Sequence, residues 1–189
     1  MDREVVSKII SLHGKVARRF KEYEHKTSEH PPIEVVNELR YALRAVIVLL
    51  GHCTDPIIND ADVDSEIEAG DAFERAMHAL YCAYHDLVDG LHIELVGYME
   101  KLTREYTNAS ISVLGEKRPE IIDFIEEVEH AMVESRGHGL KRTKIYDDKI
   151  YNEYFEKLLN YKVEMVRDIL PEVITLHNSL QRDLYEGDY

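Results

Sequence analysis

Phe73, Met77, Leu80, Tyr84, Leu87, Leu91, Leu95, Tyr98 and Leu102 recur every three or four residues through the middle of the chain. That is the period of one helix face, sustained for longer than a globular helix usually runs. A second face of the same segment is polar, with Arg75, His78, Cys82, His85, Asp89 and His92 stepping by the same interval. Gly70, Gly90 and Gly97 are not followed by proline or a polar turn cluster, so the spacing predicts one helix from about Ser65 to Ser110. Ser65 has the chemistry of its N-cap, with Glu66 and Glu68 in the first turn. A strut of this kind belongs to an all-α fold. The chain has only 9 Gly and 5 Pro in 189 residues, too few turn formers for an all-β fold.

The flanking segments carry the same period. Val6, Ile9, Ile10, His13, Val16, Ala17 and Phe20 mark the inner face of a first helix from Arg3 to Lys26, ended by Pro31-Pro32. A second helix runs from Ile33 to His52 with Val36, Leu39, Leu43, Val46, Ile47 and Leu50 inward. After an acidic connection over 54–65 and the long helix, Gly115 to Pro119 reads as a turn. A fourth helix spans Pro119 to Ser135 with Ile122, Ile125, Val128 and Met132 inward, and a fifth spans about 148–184 with Pro171 bending it. The expected architecture is a single domain over 1–189, a bundle of about five mostly antiparallel helices. Two of these, about 65–110 and 148–184, are long enough to overhang it and call for a homodimer partner.

Charge restricts the partners. Lys plus Arg total 23 against 37 Asp plus Glu, a net charge of −14 that repels phosphate backbones and anionic lipid. Self-association or a basic protein partner is therefore expected, and neither double-stranded DNA nor a membrane. No apolar run reaches the roughly 18 residues of a membrane span. The opening MDREVVSKIISLHGK lacks the apolar core of a signal peptide, and two cysteines, Cys53 and Cys82, form no disulfide scaffold. These features lead to the expectation of a cytoplasmic protein.

Four groups of residues carry chemistry. His85, Asp89 and His92 can converge from one helix face, and two imidazoles with a carboxylate make a half-site for Zn²⁺ or Fe²⁺. His13, His52, Cys53, His130 and His177 are available to complete it. The alternative is a polar seam with no cofactor, which is the expectation here. Arg40 and Arg44, one turn apart, suit either phosphate or an interhelix pair with Asp86 and Asp89. Lys141, Arg142 and Lys144, with His138, form a basic loop able to touch phosphate. Tyr146, Tyr151, Tyr154 and Tyr161 suit either core packing or an interface. No GxSxG, Walker or GxGxxG motif is present.

The segment Asn37-Glu38-Leu39-Arg40-Tyr41-Ala42-Leu43, followed by a long helix with Ala72-Phe73-Glu74-Arg75-Ala76-Met77-His78-Ala79-Leu80-Tyr81, resembles HEPN (higher eukaryotes and prokaryotes nucleotide-binding) helical domains. The resemblance covers the middle of the chain. It implies a ribonuclease, or a component of toxin–antitoxin or phage-defence systems, with an Arg and a His separated by four to six intervening residues as catalytic pair. Arg19 and His25 are the match, with Phe20 where the family carries a polar residue. Three functions follow as expectations: a non-enzymatic helical interaction protein, a HEPN-like ribonuclease, and a bundle binding metal or a small ligand through the stripe. The first predicts an open apolar patch, expected on the third or fifth helix.

Overall fold

The computed structural model describes residues 3–51, 69–137 and 153–186. The Ser65 cap, the acidic connection over 54–65, His52, Cys53, the basic loop with His138, Lys141, Arg142 and Lys144, and Tyr146 and Tyr151 lie outside them. The fold is all-α, with no strand among the described residues. In chain order the helices are α1 (Arg3–Thr27), α2 (Ile33–Gly51), α3 (Ala69–Glu105), α4 (Thr107–Leu114), α5 (Lys117–Gly137), α6 (Phe155–Glu164) and α7 (Leu170–Glu186). The chain divides between Leu87 and Val88, within α3, into two compact units. No described helix is long and apolar enough to cross a membrane.

The first unit holds α1, α2 and α3 up to Leu87. α1 ends where Ser28 turns into the left-handed region at φ 60° and its N–H donates to the Glu24 carbonyl. Buried Pro31 then leads into α2, as two prolines in succession require. The core is finer-grained than a count of large side chains suggests. Along α3 the buried positions are Ala72, Ala76, Ala79, Leu80, Ala83, Tyr84 and Leu87, whereas Phe73 and Met77 are only half-buried. Alanines at helical spacing let neighbouring helices approach closely, so a narrow strip suffices on their partners. On α2 that strip is Val35, Ala42 and Leu49, seven residues apart, with Val48 beside it. The expectation that Val36, Leu39, Leu43, Val46, Ile47 and Leu50 face the core is therefore corrected: Leu43, Ile47 and Leu50 are exposed and the other three half-buried. On α1, likewise, Ile9, Leu12, Val16 and Tyr23 are buried, while Ile10 and His13 are exposed.

The second unit begins at Val88. Leu91, Leu95, Met99 and Leu102 of α3, Ile121, Phe124, Val128 and Met132 of α5, and Phe155, Leu158, Leu159, Met165, Ile169 and Val173 farther on form its core. The inner face of α5 is thus turned from the expected one, leaving Ile122 exposed and Ile125 half-buried. The long helix stops at Glu105 rather than reaching Ser110. Tyr106 leaves helical geometry at φ −133°, and the short α4 follows. No glycine or proline causes the break. The Thr103 and Thr107 hydroxyls donate to the Met99 and Thr103 carbonyls at 2.9 and 2.6 Å. The Ser110 hydroxyl donates to the Thr107 carbonyl at 2.9 Å. Side chains that compete for backbone groups disfavour a straight continuation. Gly115 ends α4 at φ 49°, ψ −126°, a conformation that glycine adopts without steric cost.

Pro171 acts on the last helix as its sequence position predicts. It lacks an N–H and crowds the carbonyl four residues back. The helix answers with a π turn over Met165–Ile169, between α6 and α7, in which the Leu170 N–H donates to the Met165 carbonyl. α4 packs against α7.

Candidate functional site

Large apolar side chains that do not fit the narrow core strips of the first unit collect on its surface. Ile9, Ile10 and His13 of α1, Val36, Leu39, Arg40, Ala42, Leu43 and Val46 of α2, and Leu80 of α3 line an open groove of about 460 Å³. Ile10 is 65% exposed, Leu43 61% and Ile47 45%. Val36, Leu39, Leu43, Val46 and Leu50 follow one another at alternating steps of three and four, the spacing of a helix seam made to meet another helix. Arg40 and Arg44 are both exposed beside this seam. Within the groove the polar groups are one imidazole and one guanidinium. That arrangement suits an apolar partner with acidic flanks.

The polar stripe of α3 runs through both units. His78 and Arg75 are exposed, and the Cys82 Sγ lies 3.6 Å from the His78 Nε2. His85 is buried in the first unit. His92 is buried in the second and donates its Nε2–H to the Ile125 carbonyl of α5 at 3.2 Å. A carbonyl can only accept, so that contact fixes the tautomer and leaves Nδ1 as the one ring nitrogen open to a metal. Among the described residues no group of three or more His, Cys, Asp or Glu is placed to hold a metal ion. Of the further histidines, His13 lines the groove, His130 lies 3.8 Å from Glu134, and His177 meets the Tyr106 ring edge-on at 5.1 Å.

Arg19 and His25 both lie on α1. Six residues at 100° per residue set them about 120° apart around the helix axis. The Arg19 guanidinium bonds Glu22 at 2.8 Å, and Lys26 reaches the same carboxylate at 3.1 Å, while His25 is exposed. Partial burial raises the Glu22 pKa, but the two cations outweigh it and hold the carboxyl below its ordinary range. α1 therefore does not present Arg19 and His25 side by side.

The second unit contains polar chemistry that the sequence reading missed. Lys162, buried to 2% exposure, pairs with the Glu94 carboxylate of α3, itself 34% exposed. The available signal was positional: Lys162 falls on the apolar stripe Phe155, Leu158, Met165, Ile169. Nearby, Tyr161 donates to Glu120 at 2.6 Å and buried Tyr154 to Glu127 at 3.1 Å, with Phe124 against both rings. The Lys157 ammonium lies 4.3 Å from the Phe124 ring centroid. Burial first, then the Glu120 carboxylate, pushes the Tyr161 phenol up. These tyrosines serve packing between α5 and α6.

A second apolar groove, of about 450 Å³, opens in this unit. Val96, Met99, Glu100, Thr103 and Arg104 of α3 form one wall, and Ile122, Ile125 and Glu126 of α5 the other. Arg118 donates to the Thr103 hydroxyl at 3.2 Å. No protein-family model, curated protein or solved structure matches this chain.

Proposed function

We propose that this chain is a non-enzymatic helical interaction protein that associates with a second copy of itself through the α1–α2 surface. The observation that carries the reading is the exposure of Leu43, Ile47 and Leu50 on a helix whose apolar residues keep seam spacing. Helices in globular units ordinarily turn such a stripe inward. Covering a leucine or isoleucine that is about half-exposed returns on the order of 1 kcal/mol per side chain. A second copy brings the same surfaces, so each interaction is available twice in a closed pair.

Sedimentation equilibrium of the full chain over a wide concentration range tests this. Wild type is expected to self-associate, and Leu43→Glu/Ile47→Glu to be monomeric with unchanged far-UV circular dichroism, since neither side chain belongs to the core. A wild-type chain that stays monomeric at every concentration overturns the reading.

A further inference from the structure

The α2 ridge carries positive charge in a protein whose net charge is −14. Leu43 and Ile47 are one turn apart, and so are Arg40 and Arg44 beside them. All four are exposed and fall within about 100° of the helix circumference, each i,i+4 pair about 6 Å apart along the axis. Two copies meeting ridge to ridge bring four guanidinium groups together, which is unfavourable at close range. Net charge opposes the approach of two copies in every orientation, screened only beyond roughly 8–10 Å at ordinary salt, so a stable contact needs local charge complementarity.

The α3–α5 groove has the opposite character. Its floor is Val96, Met99, Ile122 and Ile125, and both walls carry an exposed carboxylate, Glu100 from α3 and Glu126 from α5. Neither carboxylate has an ion-pair partner among the described residues. Both cations at its end are engaged, Arg104 with Glu105 at 2.9 Å and Arg118 with Thr103. An apolar cleft between two helices with an acidic rim is shaped for an amphipathic helix with apolar anchors and basic flanks. The α2 ridge has two apolar anchors and two arginines beside them.

We infer that the α2 ridge of one copy seats in the α3–α5 groove of another, Leu43 and Ile47 on the apolar floor and Arg40 and Arg44 against Glu100 and Glu126. This rests on the self-association proposed above and names what the ridge meets. The contact joins two different surfaces, so it either recurs reciprocally in a closed dimer or continues to larger assemblies. Charge pairing at such a contact fixes orientation and partner more than bulk affinity.

A charge-swap cycle tests it on the full chain by sedimentation and titration calorimetry. Arg40→Glu/Arg44→Glu is expected to weaken association roughly tenfold or more, as coupled charge pairs at interfaces do. Glu100→Arg/Glu126→Arg is expected to weaken it to a similar degree. Mixing the two variant proteins is expected to restore association to within a few-fold of wild type, and added salt to weaken the wild-type complex. All four positions are exposed, and circular dichroism checks that each variant keeps its helix content. If wild type associates but Glu100→Arg/Glu126→Arg has no effect, the groove assignment is overturned while self-association stands. If Arg40→Glu/Arg44→Glu tightens association, the ridges meet each other and the inference is overturned. A monomeric wild type overturns both.

Discussion

Glu94→Ala should be far more damaging than Lys162→Met, although the two substitutions break the same ion pair. The asymmetry follows from burial. Lys162 is 2% exposed, whereas the Glu94 side chain is 34% exposed as a whole, with its Oε2, at the contact, buried. Removing the carboxylate takes away the anion paired with an ammonium deep in the second unit, a loss that typically costs about 3–5 kcal/mol. Removing the ammonium instead leaves a carboxylate with one buried oxygen on a side chain that water partly reaches, while methionine takes the place of the lysine stem. That change is expected to cost less, about 1–2 kcal/mol for the buried oxygen that loses its ammonium donor. For a chain of this size each kcal/mol moves the melting temperature by roughly 2–4 °C, so Glu94→Ala is expected to lower it by on the order of 10 °C. Urea unfolding followed by far-UV circular dichroism, with both single variants and Glu94→Gln/Lys162→Met measured side by side, gives the comparison. The double variant should lie close to wild type. Equal losses for the two single variants, or a Glu94→Ala variant within about 1 kcal/mol of wild type, would refute the argument that burial of the lysine decides the cost.

Two glycines should respond in opposite directions. Gly115→Ala forces an L side chain into φ 49°, ψ −126° and is expected to cost about 1–3 kcal/mol, whereas Gly97→Ala on exposed α3, with open space around a new Cβ, is expected to gain about 0.5–1 kcal/mol. Thermal melts of both variants check this, and a destabilised Gly97→Ala would contradict it. Tyr161 should make stability fall at alkaline pH. Its phenol titrates near 10 in the unfolded chain and higher when folded, because of burial and then the Glu120 carboxylate, so its contribution is complete below about pH 10 and declines above it. Tyr161→Phe loses the bond to Glu120, costing about 0.5–1.5 kcal/mol at neutral pH, but should show a shallower alkaline decline in urea midpoints.

Much of the backbone could be read from the chain. The α1 limits, the start of α2 at Ile33, the turn at Gly115 and the disturbance before Pro171 all follow from local rules: proline lacks a donor, and glycine alone enters positive φ freely. The stop at Glu105 was harder to read, because its cause is a set of threonine and serine hydroxyls bonding to nearby carbonyls. Each hydroxyl is compatible with a helix, and their combined effect appears only in three dimensions. The candidate sites divided differently. The α3 stripe was visible as a pattern, yet His92 turns its Nε2 to the α5 backbone. The Lys162–Glu94 pair joins α6 to α3 across a long stretch of chain, a separation at which spacing rules say nothing.

Hydrophobic period alone determined that this chain is helical and where most of its helices run. It did not determine which apolar residues are core. A period of 3.6 residues gives each helix an apolar sector but leaves its rotation free within that sector. Tertiary packing made the choice: Val35, Ala42 and Leu49 of α2 are buried, and Leu43, Ile47 and Leu50 are left facing outward. The surface on which the functional reading rests is therefore the remainder of the packing, composed of residues that sequence pattern assigns to the core and that the folded unit leaves outside it.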